Sequence, residues 1–507
     1  MKRVSQVKTG VLISYILIIM NSLYGILVTP FIIHCLGSAD YGVYKTMSSL
    51  TSSLMVIDLG IGGTVQRFVA KYRADKEDKK IPNFLALNFI QAGLLCGVIA
   101  IVCTVVFFFL EPAYGNSFSA SQLYTAKQVY VILAINMLVH VMSNVVNGII
   151  VGCNQFIFGN GIKLIRLLLR IGFVLAFLGI FKSALTLVLI DLCLTVLFLS
   201  AQLLYVKVKL KIRIKFEYWD KSVFLESGKY TMLMFLTTIV AQVNSNLDNI
   251  LIGSLAGPTC VAVYSIGLMF FGMFQNISGA VSGVMLPTVT NILAERNSEE
   301  KLINTIIKAG RFQFTLLGAA IVGFACIGKD FVYVWMGEGF EDVYIITLLL
   351  LVPAIFELCI NVCLSILRAK NMLGFRTVAL CVSTLVNIVI TVVLIKYWSY
   401  VGAAIGTAAS YVICSLCAMN YYYSKKLLLP MLRIYKGIVK GIWICLLISG
   451  VGLFVSSRYF NGSYVAIVID IMVFCVLYVL SLLTIGLSRD EKEQIPIVNR
   501  FIRKKGE

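Results

Sequence analysis

Charge is scarce in this sequence. Only 13% of its 507 residues are Asp, Glu, Lys or Arg, and 59% are hydrophobic. Soluble domains run at about 25% charged and about 45–50% apolar, so an ordinary soluble fold is excluded. Acidic residues are the scarcer sign, 24 against 43 Lys and Arg, leaving a formal charge of +19. Histidine is nearly missing: there are two, His34 and His140, and no H-E-x-x-H. The two-histidine zinc site of a metalloprotease is therefore excluded. The glycine-rich G-x-x-x-x-G-K-[ST] is absent, which excludes nucleotide binding through a P-loop. Cysteine is not rare, at 14 residues, but the single C-x-x-C (Cys414, Cys417) lies in an apolar run with no second pair at ligand spacing. Neither zinc nor redox chemistry follows from it. A large connector is lacking as well. The longest external one is Glu111–Ala126, too short to hold an enzyme. No cofactor is called for, and any activity must be built from helices.

What the chain has instead is long apolar runs. A spanning helix needs about 20 mainly apolar residues. Such runs lie near 9–33, 43–66, 83–110, 127–150, 162–181, 183–206, 229–254, 260–285, 309–332, 343–367, 375–396, 401–423, 438–457 and 464–487. The expectation is an all-α membrane protein of about fourteen transmembrane helices. The run after Lys2, Arg3 and Lys8 continues to Ile33 with no small-residue cleavage site, and reads as a first helix rather than a signal peptide. The break at Ile180–Ala184 is the weakest, marked only by Lys182.

The basic residues support the count. With fourteen crossings, all Lys and Arg fall on one side except Lys45, Lys127, Lys182, Lys329, Lys396 and Arg458. A miscounted helix would invert every later loop and destroy that asymmetry. The positive-inside rule then places both termini in the cytoplasm. It also gives the +19 a membrane reading, against an anionic leaflet, and no nucleic acid is expected.

The two halves resemble each other weakly. At an offset of 220, Gly37, Val43, Tyr44 and Gly63 match Gly257, Val263, Tyr264 and Gly283. At 217, Asn144, Val145, Ile149 and Leu168 match Asn361, Val362, Ile366 and Leu385. Six helices against six preserve topology, so the two lobes are related by a pseudo-twofold along the membrane normal, and transporters built so hold substrate between halves. The division is an N-lobe over 1–206, a basic linker over 207–228, a C-lobe over 229–423, and a final helix pair with a basic tail over 424–507.

Ionisable groups in hydrocarbon are costly and tend to face a cavity or a partner, although polar side chains also serve as helix glue. The fourth helix carries Asn136, His140, Asn144 and Asn147 on one face. The tenth carries Glu357 and Asn361, which the repeat sets opposite His140 and Asn144. The seventh holds Gln242, Asn244, Ser245, Asn246, Asp248 and Asn249, a run too polar to face lipid all round. Asp58, Asp191 and Asp470 stand alone. Lys163, Arg166 and Arg170, at i, i+3 and i+7, run inward along the fifth helix; Lys308 and Arg311 begin the ninth, and Arg67 ends the second. Lys163, Lys308 and Arg67 fit snorkelling to the interface. Arg170 is the deepest, and arginine grips phosphate with a planar fork of donors. The expected headgroup ligands are Arg67, Arg166, Arg170 and Arg311. The expected glycan-lining groups are Asn144, Gln242, Asn246 and Asn361. The candidates for ion coupling are Asp58, His140, Asp248 and Glu357.

The stretch LGSADYGVYKTMSSLTSSLMVIDLGIGGTVQRFVAKY (Leu36–Tyr72) resembles the amino-terminal signature of the Wzx-type polysaccharide-transport flippases. LDNILIGSLAGPTCVAVYSIGLMF (Leu247–Phe270) and LPTVTNILAE (Leu286–Glu295) are similar to their second-half signature. The resemblance covers most of the chain, and implies the fold shared with multidrug exporters of the MATE kind. It implies a bacterial plasma-membrane protein, not an enzyme. Its cargo would be undecaprenyl-pyrophosphate-linked oligosaccharide of an O-antigen or capsule, moved from the cytoplasmic to the outer leaflet by alternating access. Implied partners are membrane lipids, H+ or Na+ as coupling ion, and polysaccharide polymerase or export machinery. The alternative is a cation-coupled drug exporter of the same fold, which would want a more acidic cavity. A membrane-embedded glycan polymerase is the third reading, and the short outer loops argue against it.

Overall fold

The computed structural model describes residues 2–55, 60–295, 299–370, 372–459, 464–487 and 491–492. Every regular element among them is helical. In chain order these are α1 (Lys2–Leu54), α2 (Ile61–Ala74), α3 (Ile81–Tyr114), α4 (Ala120–Gly152), α5 (Phe156–Phe173), α6 (Gly179–Phe181), α7 (Ala184–Val208), α8 (Lys221–Leu255) and α9 (Pro258–Ala294). There follow α10 (Glu299–Met336), α11 (Val343–Cys359), α12 (Val362–Ala369), α13 (Gly374–Ser410), α14 (Met419–Lys426), α15 (Met431–Val439), α16 (Ile442–Tyr459) and α17 (Tyr464–Ser481). Among the described residues, nine helical runs are long and apolar enough to cross a membrane, or eleven if two bent pairs (α11 with α12, α15 with α16) count as one span each. Large apolar side chains such as Leu27, Phe108, Ile180, Leu447 and Met472 are exposed on many of these helices. Monomeric soluble proteins rarely leave contiguous apolar surface uncovered; acyl chains cover it here. The chain is a multi-pass membrane protein.

Local chemistry sets the breaks. Helix α1 is interrupted at Gly37, whose φ of 78° and ψ of 161° suit a residue without Cβ. Helix α13 breaks at Trp398 and Ser399. The weakest break in the sequence is real: Lys182 adopts a left-handed conformation, φ 41°, and the Ser183 hydroxyl accepts from Leu185 N to cap α7. Ser119 and Gln122 form a full capping box at the start of α4. Asp220 caps α8 through Val223 N.

The chain divides into two compact units. The first comprises Met1–Ser265 with Ile390–Ala403, and the second Ile266–Val389 with Ala404–Glu507. The core of the first unit is built by α1, α2, α3, α4 and α7, with Met47, Val65, Val145 and Ile149 essentially inaccessible. Phe84 stacks on Phe68 and meets Tyr72 edge-on, with ring centroids 5.1 and 5.5 Å away. Within the second unit, α10, α16 and α17 pack around Ile327, Leu453, Ile467 and Phe474.

The internal repeat is visible in how each unit is packed. In the first, α2 and α4 touch backbone to backbone. A Cβ on Gly62 would lie 2.9 Å from the Asn144 carbonyl, and one on Gly148 2.5 Å from the Gly62 carbonyl. The repeat offsets carry Gly62, Asn144 and Gly148 to Ser282, Asn361 and Ser365. There, Ser282 Oγ donates to the Asn361 carbonyl at 2.9 Å, and Ser365 Oγ donates to the Ser282 carbonyl at 3.0 Å. The same pairs of positions meet in both units. One seam is closed by absent side chains, the other by serine hydroxyls. Among the G-x-x-x-G spacings of the sequence, Gly148/Gly152 is a true packing face, with Gly152 against Val69. Gly93/Gly97 and Gly279/Gly283 meet nothing within 4 Å.

Candidate functional site

A cavity of about 490 Å³ opens within the first unit, walled by α1, α4, α5 and α7. The 3.6-residue period of α5 puts Lys163, Arg166 and Arg170 on one side of that helix, and all three line the cavity. Asp191 faces them from α7. Asn136 and His140 complete the polar lining from α4, and Asn21, Tyr44, Ser48 and Thr51 from α1. Three cations confront one carboxylate, so the cavity carries a net excess of positive charge.

Arg170 is held from several sides. Its Nε donates to Asp191 Oδ1 at 2.6 Å and its Nη2 to Oδ2 at 2.9 Å, the paired geometry of an arginine fork on a carboxylate. Nη2 also reaches the Tyr44 hydroxyl at 3.5 Å, and the guanidinium sits 5.1 Å over the Tyr24 ring, within cation–π range. Nη1 makes no hydrogen bond among the described residues. Arg166 donates through Nη2 to Thr195 Oγ1 at 2.8 Å, which leaves its other donors toward the cavity. Thr195 in turn donates to the Asp191 carbonyl at 2.7 Å, so α7 positions both arginines. Asn136 Oδ1 is buried with no hydrogen-bond partner among the described residues. The residue belongs to the cavity wall.

Comparison with the second unit shows what the fold requires here. The 217-residue offset carries Lys163, Arg166 and Arg170 to Leu380, Ser383 and Asn387. Asn387 Nδ2 donates to Thr407 Oγ1 at 3.0 Å, one residue from the repeat equivalent of Asp191. A neutral pair therefore supports the same helix–helix contact. The ionic version costs desolvation that the scaffold does not need.

The other expected site residues are dispersed. Asn144 Nδ2 meets Nδ1 of the cavity-lining His140 at 3.1 Å. Arg67 is on the exposed side of α2. On α8, Asn246 Nδ2 donates back to the Gln242 carbonyl at 3.0 Å. Asp248 is buried and accepts from the Tyr264 hydroxyl at 2.5 Å. In the second unit, Asn361 Nδ2 donates to Ser278 Oγ at 3.1 Å, part of a buried polar seam. Glu357 lies beside Ser415 and Arg376, with Oε2 buried and unbonded among the described residues. Arg311 is a structural clamp: it forks Glu491 at 2.8 and 3.1 Å and donates to the carbonyls of Gly437, Lys440 and Gly486. Asp58 lies outside the described residues. Among the described residues, no group of three His, Cys, Asp or Glu is placed to hold a metal ion.

A sequence profile described as polysaccharide biosynthesis protein matches residues 7–293, more than half of the chain. The chain belongs to the polysaccharide biosynthesis protein family. The fold of this family member is similar to that of the lipid II flippase MurJ in an inward closed conformation, with TM-score 0.68 and 16% identity over 92% of this chain and 98% of that one. An inward-facing multidrug resistance MATE family transporter of the MOP superfamily gives TM-score 0.67 at 14% identity, covering 82% and 95% of the two chains. A MOP superfamily transporter from Pyrococcus furiosus, described as having a binding pocket of reverse polarity, gives 0.56 at 14% identity, covering 86% and 96%. No curated protein sequence matches the chain. The fold is thus that shared by MurJ and the MATE transporters, and the family places the chain in polysaccharide biosynthesis.

Proposed function

We propose that this protein is a flippase for undecaprenyl-pyrophosphate-linked oligosaccharide, working by alternating access in a bacterial plasma membrane with both termini in the cytoplasm. The observation that carries the reading is the cationic face of α5, three positive side chains against Asp191, at positions where the second unit is neutral. A pyrophosphate brings at least two negative charges and several acceptor oxygens. It would be held by Arg166 and by Arg170, the latter exchanging Asp191 for phosphate oxygens. Asn136, and nearby Asn144, would meet sugar hydroxyls. His140, Asp248 and Glu357 remain the groups proposed for coupling to H+ or Na+. Fourteen crossings follow from the eleven that include both bent pairs if the two broken runs, at Gly37 and at Trp398–Ser399, are each split in two and α8 is added. That number keeps the basic loops on one face. No step of this scheme needs covalent chemistry. A drug-exporting role would call for an anionic cavity, and the first unit's cavity has the opposite balance.

Binding tests the headgroup assignment. Geranyl pyrophosphate titrated calorimetrically into the detergent-solubilised protein should bind, and geraniol should not. Arg170→Gln should weaken binding about 10- to 100-fold, the range expected for losing a hydrogen bond to a charged group. Equal affinity in the variant, or binding of an organic cation in place of pyrophosphate, would overturn the assignment.

A further inference from the structure

The linker between α7 and α8 has a surface that the transport cavity does not use. Residues 207–221 read KVKLKIRIKFEYWDK, with six basic and two acidic side chains. Basic and apolar residues alternate, the period of an extended chain. The structure holds the segment in extended form by pinning it to the start of α3. Lys215 N donates to the Pro82 carbonyl at 3.3 Å, and the Asn83 carboxamide oxygen accepts from Glu217 N at 2.9 Å and Tyr218 N at 3.2 Å. Asn83 is itself buried. Leu210 and Ile212 turn inward against the core of the first unit.

The outward side carries two kinds of group. Ile214, Phe216, Tyr218 and Trp219 are 43 to 52% exposed, a run of large apolar and aromatic side chains half open to the outside, with Trp219 tilted against Phe224 at 4.9 Å between ring centroids. Beside them is a second cavity, of about 420 Å³, lined by Arg73, Asp78, Lys211 and Arg213 along with Cys153 and Pro82. Arg73 is engaged by the Cys153 carbonyl at 3.3 Å and lies 4.0 Å from Asp78. Lys211 and Arg213 make no hydrogen bond or ion pair among the described residues. Lys211 is held at φ 53°, a strained conformation for a residue with a side chain.

We propose that this cavity and the linker beside it form a binding site for the headgroup of an anionic bilayer lipid. Lys211 and Arg213 would take the phosphate. Phe216 and Trp219 would sit at the depth of the glycerol backbone, where aromatic side chains concentrate. Charge alone would suit inorganic phosphate equally well. The exposed aromatic run decides for a lipid, because only a lipid offers apolar surface next to its phosphate. Basic segments that flank a span gain about 1 kcal/mol per residue from an anionic leaflet. The site does not depend on what the transport cavity carries.

The test uses the whole protein in a neutral detergent, titrated with short-chain phosphatidylglycerol, short-chain phosphatidylcholine or inorganic phosphate, and reads the thermal unfolding midpoint. Phosphatidylglycerol should raise the midpoint saturably; phosphatidylcholine and phosphate should not. Lys211→Gln/Arg213→Gln should need about 30-fold more phosphatidylglycerol for the same rise. Lys425→Gln/Lys426→Gln, an equal loss of charge at the end of α14, should leave the wild-type dependence intact. Brominated phosphatidylglycerol should quench a component of the tryptophan emission that Trp219→Phe removes, a readout independent of whether the charge variant folds. An equal rise with phosphate alone, an unchanged dependence in the Lys211/Arg213 variant, or quenching unaffected by Trp219→Phe would each overturn the proposal.

Discussion

Arg170 and Asp191 pose the sharpest question at the scale of single residues. Each is only partly accessible, 25% and 16% for the side chains, and removing either leaves a half-buried charge without its partner. Asp191→Asn or Arg170→Gln alone should lower stability by about 2 kcal/mol. That is below the 3–5 kcal/mol of a fully buried pair, because the cavity admits water. The double variant Arg170→Gln/Asp191→Asn should recover most of the loss, since Asn387 and Thr407 show that a neutral pair fits this contact in the second unit. Guanidinium denaturation of the four proteins in one detergent checks this. A double variant as unstable as the sum of the singles would mean that the ion pair is needed for packing, and the argument that its charge serves a ligand would lose its footing. Asp191 was visible in the sequence only as an isolated acid. Its partnership with Arg170 depends on the hairpin turning at Lys182, which puts 170 and 191 across from each other.

At the scale of elements, the packing of α2 on α4 makes an asymmetric prediction. Gly148→Ala pushes a methyl group against the Gly62 carbonyl, two backbones that have no flexible side chain to give way. The expected destabilisation is about 1–3 kcal/mol, the range for overpacking. Ser365→Ala, at the equivalent position, removes one hydrogen bond and should destabilise by about 1 kcal/mol. Thermal unfolding of the two variants in parallel decides the order; a harmless Gly148→Ala would contradict the close approach. Sequence periodicity located the apolar runs and their repeat, because apolar run length and the 3.6-residue period depend on local composition. It could not separate the packed Gly148/Gly152 from the open Gly93/Gly97. Both have the same spacing, and only the neighbouring helix decides which is buried. The partners of Arg311 were hidden for a related reason. At the start of a span this residue looks like an inward-facing cation, but its donors are taken by Glu491 and by carbonyls of segments more than a hundred residues away.

At the scale of the whole molecule, the excess of Lys and Arg is not uniform in purpose. Most of it lies in loops, where it orients the chain. A small part, on α5, enters the interior of the first unit and gives a cavity suited to an anion. The membrane character and the membership of a polysaccharide biosynthesis family were legible in composition and in two signature stretches. The wall of the cavity was legible only in part. The stripe Lys163, Arg166, Arg170 follows from helical spacing, whereas Thr195 and Tyr24 reach it through tertiary contacts that no spacing announces. Reconstitution tests the central claim most directly. Proteoliposomes would carry a fluorescent undecaprenyl-pyrophosphate-linked oligosaccharide, with an impermeant reductant added outside to bleach the outer leaflet. The account predicts that the wild type brings the inner pool to the bleached leaflet and that Arg166→Gln/Arg170→Gln slows this at least about 10-fold. Wild-type rates in the double variant, or no movement of this lipid by the native protein, would contradict it.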